Sequence, residues 1–244
     1  MNANELKTVL AKHAAWLAGE EAEVRADLAG ADLTFADLRG TNLRFANLRF
    51  ANLRDADLRD ASLRDADLRD ASLRDADLRD ASLVGADLTF ADLRGTNLRF
   101  ANLRFADLRG ANLRDANLRS ASLRDANLRD ADLRSANLVG ASLVGASLRS
   151  AELRDANLRS ASLRFASLVG ANLVGADLVG ADIDFACWPL WCGSMGVIVD
   201  AKIVYQLAAH VCALSCADPE AQAAQAAMLP WARRSHRARD LRIV

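Results

Sequence analysis

The chain has 244 residues, nearly balanced charge (31 Lys and Arg against 32 Asp and Glu, net −1) and four cysteines, all in its last quarter. That balance excludes a bulk polycation or polyanion, and without a basic, apolar secretion signal at the start the cysteines read as thiols or metal ligands rather than disulfides. No stretch approaches about 18 uninterrupted apolar residues, so no membrane span is expected and a cytoplasmic protein is the default.

At the N-terminus, Leu6, Val9, Leu10, His13, Trp16 and Leu17 recur at helical spacing and Gly19 supplies a stop. The spacing predicts an amphipathic helix from Asn4 to Ala18, within an N-terminal piece of residues 1–25 that lies over whatever follows.

From Ala26 to Phe185 one five-residue unit, Ala-(Asp/Asn/Ser)-Leu-X-X, repeats without insertion or deletion. Leucines five apart advance about 140° each on an α-helix and spiral round it, and on a flat strand they alternate faces because five is odd. Neither arrangement buries them together. A chain that turns a corner once per unit does, with each Leu and the Ala two residues before it pointing into the axis of a coil. Thirty-two units fill 160 residues, with Ile183 in the last Leu position and only Thr41 and Thr96 in place of the Ala.

Tandem copies such as Ala56-Asp57-Leu58-Arg59-Asp60 resemble the pentapeptide-repeat family, over about two thirds of the chain. The resemblance implies an all-β solenoid, a right-handed quadrilateral β-helix with four units per turn. Over residues 26–186 it implies about 8 coils and a rod roughly 38 Å long at the usual strand spacing. Each buried Leu contributes about 1.5–3 kcal/mol before conformational entropy is subtracted. Both ends of such a rod expose an apolar layer and unpaired backbone, so an N-terminal capping helix and a C-terminal α-helical cap are expected.

Residues twenty apart should stack in columns. Arg39, Arg59, Arg79, Arg99 and Arg119 form one and Arg94, Arg114, Arg134 and Arg154 belong to another, but Asp57, Asp60, Asp77, Asp80, Asp115 and Asp155 neutralise them. A self-compensating charge lattice is expected in preference to a nucleic-acid surface. Some members of the resembled family bind DNA gyrase or a related topoisomerase as acidic mimics of duplex DNA. A repeat body with 22 arginines departs from that pattern, and DNA mimicry is the alternative reading. Gly30 to Ala51 recurs almost unchanged as Gly85 to Ala106, an offset of 55 that turns the copy onto another face, so a one-sided recognition surface is not expected.

In the last coils the outer residues change from Arg-Asp to Val169-Gly170, Val174-Gly175 and Val179-Gly180, with Phe165 and Phe185 stacked twenty apart. This apolar patch predicts cover by the chain's own C-terminus, with a homodimer through the rod end as the other occupant.

Trp188 takes the next Leu slot and Pro189 follows, which ends the array; Trp191 is expected at the same junction, at the start of a C-terminal piece of residues 187–244. The run from Trp188 to Ser194 resembles a tail of some bacterial and phage-borne members of the same family. Val197 to Ser215 reads as a helix with a complementary apolar stripe, and Asp218-Pro219 opens another through about Met228, ended by Pro230 ahead of a basic tail. Cys187, Cys192, His210, Cys212, Cys216 and His236 are candidate metal ligands, and a metal-binding C-terminal module is a second alternative. Their C-x4-C and C-x3-C spacings differ from the usual zinc pattern, and Cys192 with His210 is a weak candidate nucleophile pair. No Gly-rich phosphate loop, paired-carboxylate pocket or nucleophile motif is present. The expected function is a non-enzymatic scaffold or protein-interaction module that needs no cofactor and whose partner is another protein.

Overall fold

The computed structural model describes residues 1–20, 24–184, 186, 199, 203–205, 207, 208 and 219–234. Helix α1 (Ala3–Leu17) opens with a capping box. The Asn2 side-chain oxygen accepts the backbone N–H groups of Asn4 and Glu5 at 3.0 and 2.9 Å, and the Glu5 carboxylate accepts that of Asn2 at 2.8 Å. These bonds satisfy donors that a helix start leaves unpaired. The helix gives way at Gly19, whose φ of +89° only a residue without Cβ adopts cheaply.

Beyond α1 the chain coils. From Asp27↔Asn47 to Ser162↔Asp182, every fifth residue forms a parallel bridge with its counterpart twenty residues on, so four units make one turn of a β-helix. The unit Ala56–Asp60 shows where the backbone donors go. Leu58 N–H donates to Asp77 O at 2.7 Å, Asp60 N–H to Arg79 O at 3.0 Å and Asp57 N–H to Ala36 O at 2.9 Å, while Ala56 N–H closes a turn onto Leu53 O at 3.2 Å. The fifth donor, Arg59 N–H, finds no carbonyl and bonds the Asp57 side chain at 3.2 Å. Asp and Asn recur at the second position because their side-chain oxygen takes the donor that the ladder leaves over.

The last residue of each unit from Gly30 to Gly180 sits in the left-handed region. Among the non-glycine residues there, φ runs from 54° at Asp65 to 62° at Phe45. Asp tolerates this conformation by local hydrogen bonding, whereas Phe and Ser hold it against a steric cost of about 1–2 kcal/mol that coil-to-coil bonding must offset.

The coil interior is filled: the repeating leucines from Leu28 to Leu178 and Ile183 are at most 2% exposed. Thr96 occupies an alanine site fully buried, its hydroxyl donating to Leu73 O of the previous coil at 2.8 Å, and Thr41 donates to Leu38 O at 2.6 Å. The small site accepts Thr because a carbonyl is within reach. The same continuous core takes in Leu6, Val9 and Leu10 of α1 at one end, and Ile203, Val199 and Leu207 of the C-terminal piece.

Of the helix expected over 197–215, residues 203–205, 207 and 208 are helical and the rest lies outside the described residues. Helix α2 (Pro219–Ala232) corrects one expectation: Pro230 lies inside it rather than ending it. The missing proline N–H costs one bond, but the ladder resumes with Arg233 N–H on Leu229 O at 3.0 Å, and Arg234 N–H tightens onto Trp231 O at 3.0 Å. Among the described residues, no helix is long and apolar enough to cross a membrane.

Candidate interaction surface

With the interior filled, the chemistry lies on four outer faces, each built from the second, fourth and fifth residues of every fourth unit. On three faces each fourth-position Arg that follows a second-position Asp reaches back to it. Arg59 is typical: its Nε lies 2.8 Å from Asp57 Oδ1 and its Nη2 2.6 Å from Oδ2, a two-point fork. Arg39, Arg69, Arg79, Arg94, Arg109 and Arg134 pair likewise with the aspartate two residues before.

The side-chain hydrogen bond from Arg39, helped by its backbone N–H, holds the Asp37 carboxyl down to about 2. Arg59 and Arg69 lower Asp57 and Asp67 in the same way. At Asp92 and Asp132 burial pushes upward, but the hydrogen bonds from Arg94 and Arg134 outweigh it and the net shift is down. This lattice supplies the expected self-compensation at Asp57 and Asp77, whereas Asp60, Asp80, Asp115 and Asp155 form no ion pair among the described residues.

It does not extend to the fourth face. There the second position reads Asn42, Ser62, Ser82, Asn102, Ser122, Ser142 and Ser162, with no carboxylate until Asp182, whereas each other face carries four. Up to Phe165 this face holds five arginines (Arg44, Arg64, Arg104, Arg124, Arg164) against Asp65 and Asp125, a net charge of +3. Through residue 180, the faces that begin at Asp27, Asp32 and Asp37 carry −1, −2 and 0. The expectation of neutral columns fails on this face because its second position is Ser or Asn.

Exposed phenylalanines punctuate the turns. Arg44, Arg104 and Arg164 each lay a guanidinium over the following ring, 5.3, 5.3 and 5.6 Å from the centroids of Phe45, Phe105 and Phe165. Phe45 also meets Trp16 edge-on at 6.4 Å, and Trp16 stacks on His13 at 5.6 Å. His13 is fully buried and its Nδ1 accepts the Ala26 N–H at 3.0 Å, a role that its place in an apolar stripe does not disclose. Between α1 and the first coil a groove of about 440 Å³ is lined by Leu6, Lys7, Leu10, Asp32, Phe35 and Asp37.

Of the residues expected to join the last coil to the C-terminal piece, Phe165 is 55% and Val169 43% exposed, while Val174 and Val179 are half-buried. Phe185, Trp188 and Trp191 lie outside the described residues, as do the candidate ligands Cys187, Cys192, His210, Cys212, Cys216 and His236. Among the described residues, no group of three or more His, Cys, Asp or Glu side chains is placed to hold a metal.

A family model described as pentapeptide repeats matches in eight copies, with matched segments at residues 24–60, 61–99, 96–134, 126–164 and 156–187. No curated protein shows significant similarity to the chain. Among solved structures, the chain is 35% identical to HetL, a pentapeptide repeat protein involved in heterocyst differentiation regulation from the cyanobacterium Nostoc sp. strain PCC 7120. The match covers 73% of this chain and 84% of that one, with a TM-score of 0.35. Trypsin-treated QnrB1, a plasmid-mediated fluoroquinolone resistance protein, is 21% identical over 73% of this chain and 92% of its own, with a TM-score of 0.59. That likeness extends to the fold alone.

Proposed function

Because this chain belongs to the pentapeptide-repeat family, whose fold is a right-handed β-helix solenoid, we propose that it is a non-enzymatic scaffold that presents an outer face to a protein partner. The observation that carries this reading is the filled interior: leucines and alanines close the coil axis, which leaves no cavity along it for a substrate. In this reading residues 26–186 form a rod of about eight coils, residues 1–25 cover its start, and residues 187–244 cover its end. Burial of Leu6, Val9 and Leu10 of the N-terminal piece, and of Ile203 and Leu207 of the C-terminal piece, in the same core supports the covering roles. Closed ends favour lateral contact with a partner over end-to-end pairing. The protein works in the cytoplasm.

Mimicry of duplex DNA is the less favoured reading, since face charges of −1, −2, 0 and +3 provide no continuous acidic track. Retention of a partner by the full chain, with no effect on gyrase supercoiling by the purified protein, is the expected result. Clear inhibition of supercoiling would replace the scaffold reading with mimicry.

A further inference from the structure

The fourth face repeats with a period that the other three lack. Thr41–Phe45, Ala61–Asp65 and Ala81–Gly85 recur as Ala101–Phe105, Ala121–Asp125 and Ala141–Gly145, differing only at Thr41 against Ala101. The module is three coils tall, about 14 Å. It presents a pair of arginines on adjacent coils, an exposed Phe and a row of Ser and Asn side chains.

Elsewhere on this rod the structure displays what an arginine at the fourth position binds when the second position is Asp: that carboxylate, held by Nε and Nη2, as Arg59 holds Asp57. Arg44, Arg64, Arg104 and Arg124 stand at the same position with Asn or Ser in the carboxylate's place, and none of the four forms an ion pair among the described residues. The two acids of this stretch do not substitute for it. Asp65 and Asp125 lean along the rod, their Oδ1 atoms 2.4 and 2.3 Å from where a Cβ on Gly85 and Gly145 would stand.

We propose that this face docks an acidic protein segment, whose Asp or Glu carboxylates occupy the vacant second-position sites between the arginine pairs and whose apolar side chains rest on Phe105 and Phe165. The inference rests on the scaffold reading and names the chemistry of its partner. A carboxylate fits better than a phosphodiester backbone because the two-point carboxylate geometry is already built on the same backbone.

The test is fluorescence anisotropy with labelled poly-L-glutamate, and with single-stranded DNA of equal charge, at low and high salt. Arg104→Ser/Arg124→Ser is compared with Arg74→Ser/Arg114→Ser, which removes two arginines from the opposite face, and thermal melting confirms that both variants fold. Salt-sensitive binding of poly-L-glutamate that weakens about tenfold in the first variant and less than about twofold in the second is expected. Equal losses in both, tighter binding of DNA, or no binding of poly-L-glutamate at low salt would overturn the proposal. A cellular partner retained equally by wild type and Arg104→Ser/Arg124→Ser would overturn the face while leaving the scaffold reading intact. Binding of poly-L-glutamate by a protein that retains no cellular partner would support the face and count against the scaffold.

Discussion

The Nδ1 of His13 accepts the backbone N–H of Ala26 at 3.0 Å, tying α1 to the first residue of the first coil through a fully buried imidazole. The neutral ring therefore carries its proton on Nε2, which is buried. Burial lowers the His13 pKa and the charge of Arg25 lowers it further, outweighing the Arg44 backbone, which favours the cation.

A lowered histidine pKa means that the unfolded state binds the proton more readily. The His13 contribution is therefore complete above the ordinary value of 6.5 and is lost as pH falls below it. Asp37 has the opposite charge type but the same sign of dependence: its contribution is complete above 3.8 and is lost as pH falls towards about 2. Acidification should release α1 first and disturb the coils later. Hydrogen exchange at the Ala26 amide, followed from neutral pH to pH 4, checks this (the pH limits set by the reference values of His and Asp, about 6.5 and 3.9). Unchanged protection across that range would show that His13 does not titrate.

His13→Ala leaves the Ala26 N–H buried without an acceptor, a loss of about 1–3 kcal/mol. Chemical denaturation should show the loss at neutral pH, and the variant should lack the acid-dependent step between the His and Asp ranges.

Gly40 and Gly85 share a left-handed φ, +61° and +68°, but nothing lies within 4 Å of a Cβ on Gly40, whereas a Cβ on Gly85 meets Asp65 Oδ1 at 2.4 Å. Gly40→Ala should cost only the backbone penalty, about 1–2 kcal/mol. Gly85→Ala should cost more, and the excess should disappear in combination with Asp65→Ala. Equal costs for the two glycines in thermal melts would show that Asp65 swings aside freely.

Leu103 is fully buried, so Leu103→Ala should lose about 2–5 kcal/mol and Leu103→Arg should prevent folding. Arg104→Ala, on the exposed side of the same unit, should stay within about 0.5 kcal/mol. Comparable melting temperatures for Leu103→Ala and Arg104→Ala would contradict the inward and outward assignment.

Ile203 is fully buried in the same core as Ile183 of the last repeat unit. Removing residues 186–244 should uncover that layer and yield end-to-end dimers or aggregates in light scattering. A monodisperse, equally stable truncation would show that the C-terminal piece does not close the rod.

The inward Leu and Ala were legible in the sequence because only a corner every five residues lets them share a side, and α1 because its stripe and Gly19 agree. Left-handed backbone at Phe45 or Phe105 was not: Phe carries no conformational signal there, and the hint lay in Gly85 and Gly110 at the equivalent position. His13 was visible as an apolar-stripe member, but its bond to Ala26 depends on how helix and coil meet. Pro230 misled because a proline near a helix end forfeits a single bond, which packing of the buried Ala232 can offset. The basic face was concealed by averaging, since a nearly neutral rod conceals a face of +3 until residues are sorted twenty apart.

The backbone bonds between coils all run along the rod, and each coil meets the next through the same set of donors. Force applied to the two ends would load these rungs one coil at a time, like a zip, rather than shearing them together. Each released coil of 20 residues would lengthen the chain by about 70 Å. A stretching experiment should record a train of nearly equal steps of that size, beginning at whichever end piece lets go first.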